Sequence, residues 1–229
     1  MADASPPKEA FGKRRYTENF RITCSHEEDN MVPTIMNGVE YEELPPPADL
    51  WRATKYAHAV DLIENGLLYL TNARIYRGDS DPERGDPTET DGKFIRQGVP
   101  CTTAHTNPIF LWCTTLDPDP DAVLAVWRDC DTVVHIREPQ AFAERILRTA
   151  KAQGVKGVSF HAGTPMYDKA QGGTQPYHWA ESIYQKPERH AQQKEYRFAL
   201  VGDYSMIEVP RIELSLGPCD DLISVVNRK

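Results

Sequence analysis

The side chains with the most chemistry to offer are spread along the chain. Glu195 and Arg197 stand two apart in Glu195-Tyr196-Arg197-Phe198, so on an extended strand they share one face. There they either serve a site or pair with charges across an exposed sheet. Asp79, Asp81, Glu83, Asp86, Glu89 and Asp91 crowd one stretch with three glycines. Asp81 and Glu83 with Glu195 make a carboxylate set suited to a hard cation such as Mg2+, the chemistry of a metal-dependent nuclease. Cys101, His105, Cys113, Cys130 and His135 offer soft ligands, but their spacing matches no zinc knuckle, so no metal is assigned. Nothing in the sequence marks one cysteine as a nucleophile paired to a histidine. His178 and His190 read as surface or hydrogen-bonded residues. Gly-x-Gly-x-x-Gly between strand and helix, a Walker loop, His-Glu-x-x-His and Gly-x-Ser-x-Gly are all missing.

Short elements must carry these groups. Leu50–Ala53 reads as a strand, Thr54 as an N-cap, and Ala57, Val60, Leu62 and Ile63 as the apolar face of a helix. Asn65-Gly66 stops it, with Gly66 free to turn left-handed, and Leu67–Leu70 returns as a strand. Residues 76–98 read as one long polar loop. Ile109–Thr114 is the near-continuous apolar run of a buried strand, broken by Asp117-Pro118-Asp119-Pro120-Asp121. A short helix over Ala122–Trp127, a strand over Thr132–Arg137 and an amphipathic helix over Pro139–Gln153 follow. Strands are expected at Gly157–Phe160, Glu195–Val201, Ile207–Val209, Ile212–Leu216 and Leu222–Val226, with a loop at 162–176. This pattern predicts an α+β domain with a mostly antiparallel sheet and two or three helices.

The chain has 229 residues, 26 Lys and Arg against 34 Asp and Glu, and a formal net charge of -8. Such an acidic balance argues against a sequence-blind polyanion binder. No apolar run is long enough for a membrane span, and Met1–Lys13 has no apolar core of a signal peptide. Five scattered cysteines suit a reducing compartment, so a cytoplasmic location is expected. Residues 1–48, with Lys13-Arg14-Arg15 and Pro45-Pro46-Pro47, read as a partly ordered arm. Short strands are expected within it at Phe20–Thr23 and Val39–Glu42. Residues 49–229 read as a single domain.

Three segments resemble a known family. They are Leu50-Trp51-Arg52 leading to Glu64-Asn65-Gly66-Leu67-Leu68-Tyr69; Ser80-Asp81-Pro82-Glu83 with Leu111-Trp112-Cys113-Thr114 and Val126-Trp127; and Lys186-Pro187 with Gln193-Lys194-Glu195-Tyr196-Arg197-Phe198. Their order is similar to a large, poorly characterised family of small bacterial and phage proteins classed as a domain of unknown function. Ser80 stands where that family usually has Asn, and Ala53 where a second aromatic is common. A more distant resemblance is to the ADP-ribosyltransferase fold, carried by Leu50-Trp51-Arg52, Gly66-Leu67, Cys113-Thr114-Thr115 and Glu195-Tyr196. It implies a split antiparallel sheet with NAD in the cleft and no Gly-rich dinucleotide loop.

That resemblance implies roles. Glu195 is the carboxylate that steadies an oxocarbenium-like ribose. Arg52 holds a ribose or phosphate by its planar fork. Thr114 or Thr115 fixes Glu195 and the nicotinamide ribose. Tyr76 or Trp112 stacks on nicotinamide, and Arg197 joins the cofactor contacts. The expected activity is an NAD-dependent mono-ADP-ribosyltransferase or NAD-consuming effector, of the toxin or phage-defence kind. Its acceptor is a protein, a nucleic-acid end or base, or a small molecule, and an antitoxin is a possible partner. The competing readings are a non-enzymatic module that binds a nucleotide or a partner protein, and the nuclease above.

Overall fold

A computed structural model describes residues 46–81, 83–96, 99–103, 106–167 and 179–228, together with Phe20–Arg21, Ile35–Met36 and Val39–Glu40. Its centre is a nine-stranded sheet in which every pairing is antiparallel. The strands are β1 (Phe20–Arg21), β2 (Leu50–Thr54), β3 (Leu67–Asn72), β4 (Ile109–Thr115), β5 (Thr132–Ile136), β6 (Gly157–Gly163), β7 (Glu195–Gly202), β8 (Arg211–Ser215) and β9 (Ile223–Arg228). The helices are α1 (Tyr56–Val60, continued as a π-helical turn over Asp61–Asn65), α2 (Ala73–Arg77), α3 (Pro120–Val126) and α4 (Pro139–Ala152). The α+β class read from the sequence is the observed one.

The sheet forks, and the fork makes the site. One path runs β1-β6-β7-β4-β2-β5-β9. Strand β4 is fully paired to β7, but its other edge is shared. It meets β3 at Thr71 opposite Leu111 and Asn72 opposite Phe110. It meets β2 at one position, Trp51 opposite Thr115. From there β2 turns away to pair with β5 along its length, while β3 leaves with β8. The strand–helix–strand unit over residues 50–72 therefore straddles a gap in the sheet beside the C-terminal half of β4.

Burial on both faces explains the apolar runs in the middle strands. On one side α4 inserts Phe142 and Ile146 against Trp112, Phe160, Tyr196 and Phe198. The Trp112 ring lies 5.1 Å from Phe142 and 5.7 Å from Phe198. Each such fully buried large side chain is worth roughly 1.5–3 kcal/mol in area removed from water. The other side carries Ile109, Leu111, Ala199 and Val201, covered by α2 and by Ile183 and Tyr184 of a 3-10 segment, Trp179–Tyr184. A second 3-10 segment, Glu188–Gln193, leads into β7.

Several local expectations need correction. Thr54 does not cap α1; it ends β2, opposite Thr132, and Lys55 takes the cap position without a side-chain bond. Ile207–Val209 is not a strand. Asp203 caps a 3-10 turn by accepting from the Ser205 N–H at 2.9 Å, and Asn72 Nδ2 donates to Val209 O at 3.0 Å and Ile207 O at 3.3 Å, so these carbonyls bind a side chain and not a strand. The stretch 76–98 is not structureless, since α2 reaches Arg77 and Gly92–Arg96 forms a ribbon with Val99–Thr103. Within the expected loop at 162–176, β6 extends to Gly163 and Met166–Tyr167 pairs with Gln185–Lys186. Residues 168–178, Ile22–Thr23 and Tyr41–Glu42 lie outside the described residues.

Gly66 does adopt the left-handed conformation, at φ +66°, and its carbonyl accepts from the Leu216 N–H at 2.8 Å. A Cβ there would run into the Gly217 backbone, whereas one on Gly154, at φ +68°, would meet open space. Gly154→Ala should therefore cost the conformational term alone, about 1 kcal/mol, and Gly66→Ala at least ~2 kcal/mol, because clash adds to conformation. Equal urea midpoints for the two variants would contradict this account.

Candidate functional site

At the fork, a cavity of about 270 Å3 opens. Arg52, Tyr76, Thr114, Thr115 and Glu195 all line it, although they come from β2, α2, β4 and β7. Lys55 and His58 at the start of α1 form its outer rim, and Lys186 and Glu89 its floor with Glu195.

Glu195 is the hub. It is 1% exposed and opens β7 opposite Thr115. Arg197 Nε donates to its Oε1 at 2.7 Å, Lys186 Nζ donates to Oε2, and the Tyr167 hydroxyl accepts from its backbone N–H at 2.9 Å. Burial alone would push this carboxyl up. The Arg197 and Lys186 charges and their hydrogen bonds outweigh that effect and hold it well below the usual carboxylate range. Glu195 is thus a buried carboxylate kept negatively charged. A carboxylate has about four acceptor sites, and protein nitrogens take only part of them.

Behind it sits Arg197, fully buried. Its Nη1 stands 2.7 Å from Glu89 Oε1 and donates to Ile183 O at 2.5 Å. Glu195, Glu89, Arg197 and Lys186 form a charge-balanced buried quartet. The exposed-sheet alternative for Glu195 and Arg197 does not hold, because both are buried and they pair with each other. Arg197 does not line the cavity; its place is to hold Glu195.

Arg52 fills the fork. Its Nη1 donates to Cys113 O across the gap between β2 and β4, and its guanidinium lies 4.7 Å from the centre of the Trp112 ring. One face of the fork is therefore used, and the rest looks into the cavity. Trp112 itself is core, 4% exposed and packed on Phe142 and Phe198 from the α4 side, and it is absent from the cavity wall. The Thr115 hydroxyl donates to Gln193 O at 2.8 Å and the Thr114 hydroxyl to Tyr196 O at 2.9 Å, so they tie β4 to the end of the 3-10 segment and to β7, on either side of Glu195 in the chain. Of the two aromatics expected at the site, Tyr76 does line the cavity, as does Trp127, and burial, then Cys113, keep the Tyr76 phenol neutral by pushing its pKa well up.

Two thiols also face this space. Burial, then the Glu195 carboxylate, push Cys113 well above the ordinary thiol range, and burial, then Asp129, raise Cys130 to about 11. Thiolate is the reactive form. At about pH 8 neither cysteine should react with a disulfide reagent faster than about one tenth the rate of an ordinary thiol, whose pKa is about 8.5. A fast single-site reaction at Cys113 would contradict the assigned surroundings.

Sequence reasoning placed Lys186 and Gln193 in the resembling segments and Glu89 in the acidic stretch, but gave none of them a role in the site. Gln193 accepts from Lys186 Nζ at 2.7 Å and donates to Glu83 O at 2.6 Å, which anchors the acidic loop to the site. That loop is ordered by its own side chains. Asp79, Asp81 and Asp86 accept backbone N–H groups two residues on, and Arg84 pairs with Asp79, Asp81 and Asp129. Among the described residues no three His, Cys, Asp or Glu side chains are grouped to hold a metal ion, so Asp81, Glu83 and Glu195 do not form the ligand set of a nuclease. Cys101 and His105 lie outside the described side chains. No helix among the described residues is long and apolar enough to cross a membrane. Compared with known proteins, the chain matches no family model, no curated protein and no solved structure.

Proposed function

We propose that this protein cleaves the nicotinamide–ribose bond of NAD and acts as a mono-ADP-ribosyltransferase or NAD-consuming effector. One observation carries the reading. Arg52, Tyr76, Thr115 and Glu195, up to 143 positions apart in the chain, line a single cavity at a fork in the sheet. Breaking the glycosidic bond builds positive charge on the ribose, and a carboxylate kept ionised in a low-dielectric pocket is suited to steady it. Glu195 is such a group. Arg197 and Lys186 nitrogens and the Cys113 thiol are its donors, and a ribose hydroxyl would enter in place of the weak thiol donor.

The cavity is of the size that takes one end of a dinucleotide and not the whole, since sites for drug-sized ligands run to about 300–1,000 Å3. Nicotinamide and its ribose belong inside, beside Tyr76 and Glu195. The diphosphate belongs at the rim, where Arg52, Lys55 and His58 supply cationic and donor groups. No metal is required, because the leaving nicotinamide departs as a neutral molecule.

The experiment is incubation of the full chain with NAD labelled on the adenylate, with nicotinamide measured by chromatography and labelled products by gel and mass spectrometry. Release of nicotinamide by wild type, lost in Glu195→Gln, is the expected result. Equal release by both, or none by wild type at high enzyme concentration with a bacterial lysate as acceptor, would reject the reading.

A further inference from the structure

A second chamber of about 620 Å3 adjoins the first and shares Glu83, Arg84, Trp127 and Asp129 with it. We propose that this chamber is the acceptor subsite, that Glu83 is the base that takes the acceptor's proton, and that the acceptor is a hydroxyl or water carried by a neutral or cationic molecule. The inference rests on the NAD reading above.

Charge separates the two chambers. The second is lined by Asp79, Asp81, Glu83 and Asp129 against Arg84 and Arg128, which is the wrong sign for a diphosphate. A diphosphate is drawn instead to the Arg52, Lys55 and His58 rim, which leaves the second chamber open to whatever attacks the ribose. Of the two carboxylates that line both chambers, Asp129 is tied to Arg84 at 3.0 Å. Glu83 has no cationic nitrogen within ion-pairing distance among the described residues, and its Oε2 accepts only a neutral amide hydrogen bond, from Gln192 Nε2 at 3.2 Å. Its carboxylate is therefore open to a proton donor from the chamber.

The Glu83 backbone is also tied to the Glu195 cluster. Gln193 donates to Glu83 O at 2.6 Å and accepts from Lys186 Nζ at 2.7 Å, and that same Nζ donates to Glu195. The Glu83 N–H is held by Asp81 Oδ1 at 2.9 Å. Two carboxylate residues thus line one cavity, Glu195 paired with cations and Glu83 without an ion pair among the described residues. In the proposed step the acceptor oxygen forms a bond to C1′ of the ribose. The C1′–N bond breaks with its electron pair going to the nicotinamide ring nitrogen, and Glu83 removes the acceptor proton. Tight placement of the attacking group and its base is what converts a bimolecular attack into an effectively unimolecular one.

The test uses the full chain, NAD as substrate, and water and azide as nucleophiles. Glu83→Gln should bind NAD within about twofold of wild type and release nicotinamide roughly a hundredfold more slowly, with the acid limb of the pH–rate profile gone. Azide carries no proton to remove, and Glu83→Gln takes one negative charge out of the chamber, so azide at high concentration should restore release in Glu83→Gln and form azido-ADP-ribose, and it should do neither in Glu195→Gln. Glu83→Asp, with a shorter reach, should keep the acid limb at an intermediate rate. Wild-type rate and pH profile in Glu83→Gln, or a rate loss that azide leaves untouched, overturns the proposal while leaving the NAD reading standing. Absence of nicotinamide release by wild type overturns both.

Discussion

Glu195→Gln is expected to slow nicotinamide release by about a thousandfold per folded molecule, the scale seen when one preorganised electrostatic group is removed from a transition state. The loss should fall on kcat and leave NAD affinity within a few-fold, because the charge Glu195 answers exists only as the ribose bond breaks. The variant also alters the quartet. A glutamine opposite Lys186 and Arg197 leaves two buried cations with only Glu89 as counter-charge, so some loss of stability accompanies the loss of rate. Lys186→Met separates the two effects. Combined with Glu195→Gln it returns the buried set to charge balance, and if stability recovers while nicotinamide release stays low, the carboxylate acts in the chemistry and not merely in the fold. Recovery of release in the double variant would sink the assignment.

Much of this arrangement is legible in the sequence, for definite reasons. The run Ile109–Thr115 announces a strand covered on both faces, and Asn65-Gly66 announces a turn, because apolar continuity and a residue tolerant of positive φ are local properties. The same-face relation of Glu195 and Arg197 follows from strand alternation. Whether that face meets water does not. It is decided by Ile183, Tyr184 and Lys186, brought over β7 by a segment whose 3-10 turns leave no periodic signature. The fork is equally invisible, since it depends on β2 touching β4 at Trp51 and Thr115 alone and pairing elsewhere with β5, a register choice between strands about 60 and 80 positions away. Trp112 illustrates the opposite hazard. Alternation places it on the face away from Cys113, so an aromatic beside a site residue in sequence belongs to the α4 core.

Arg197→Met should destabilise the folded chain by about 3–5 kcal/mol at about pH 7, a large part of the 5–15 kcal/mol typical of a domain. Methionine fills similar length but leaves Glu195 and Glu89 buried with Lys186 as the single cation, so an uncompensated charge sits in the core. The pH dependence carries the stronger test. In the wild-type protein the folded Glu195 carboxyl is held below its unfolded value by Arg197 and Lys186 against its burial. That contribution is therefore complete above the unfolded pKa of about 4.3 and is lost as pH falls toward the folded value. Without Arg197 the balance of causes reverses, burial leads, and the carboxyl rises above its unfolded value. A raised carboxyl penalises the fold most at neutral pH and progressively less as pH falls to about 4.3. The gap between wild type and Arg197→Met, read from urea unfolding, should accordingly narrow between about pH 7 and about pH 5. A gap that is small at neutral pH, or constant across that window, would show that Arg197 is not what keeps Glu195 charged. The double change Glu195→Gln, Arg197→Met leaves Glu89 and Lys186, one charge of each sign, in the buried set and should regain part of the loss, with no recovery of nicotinamide release, because the charges that hold the core together include the one assigned to the ribose.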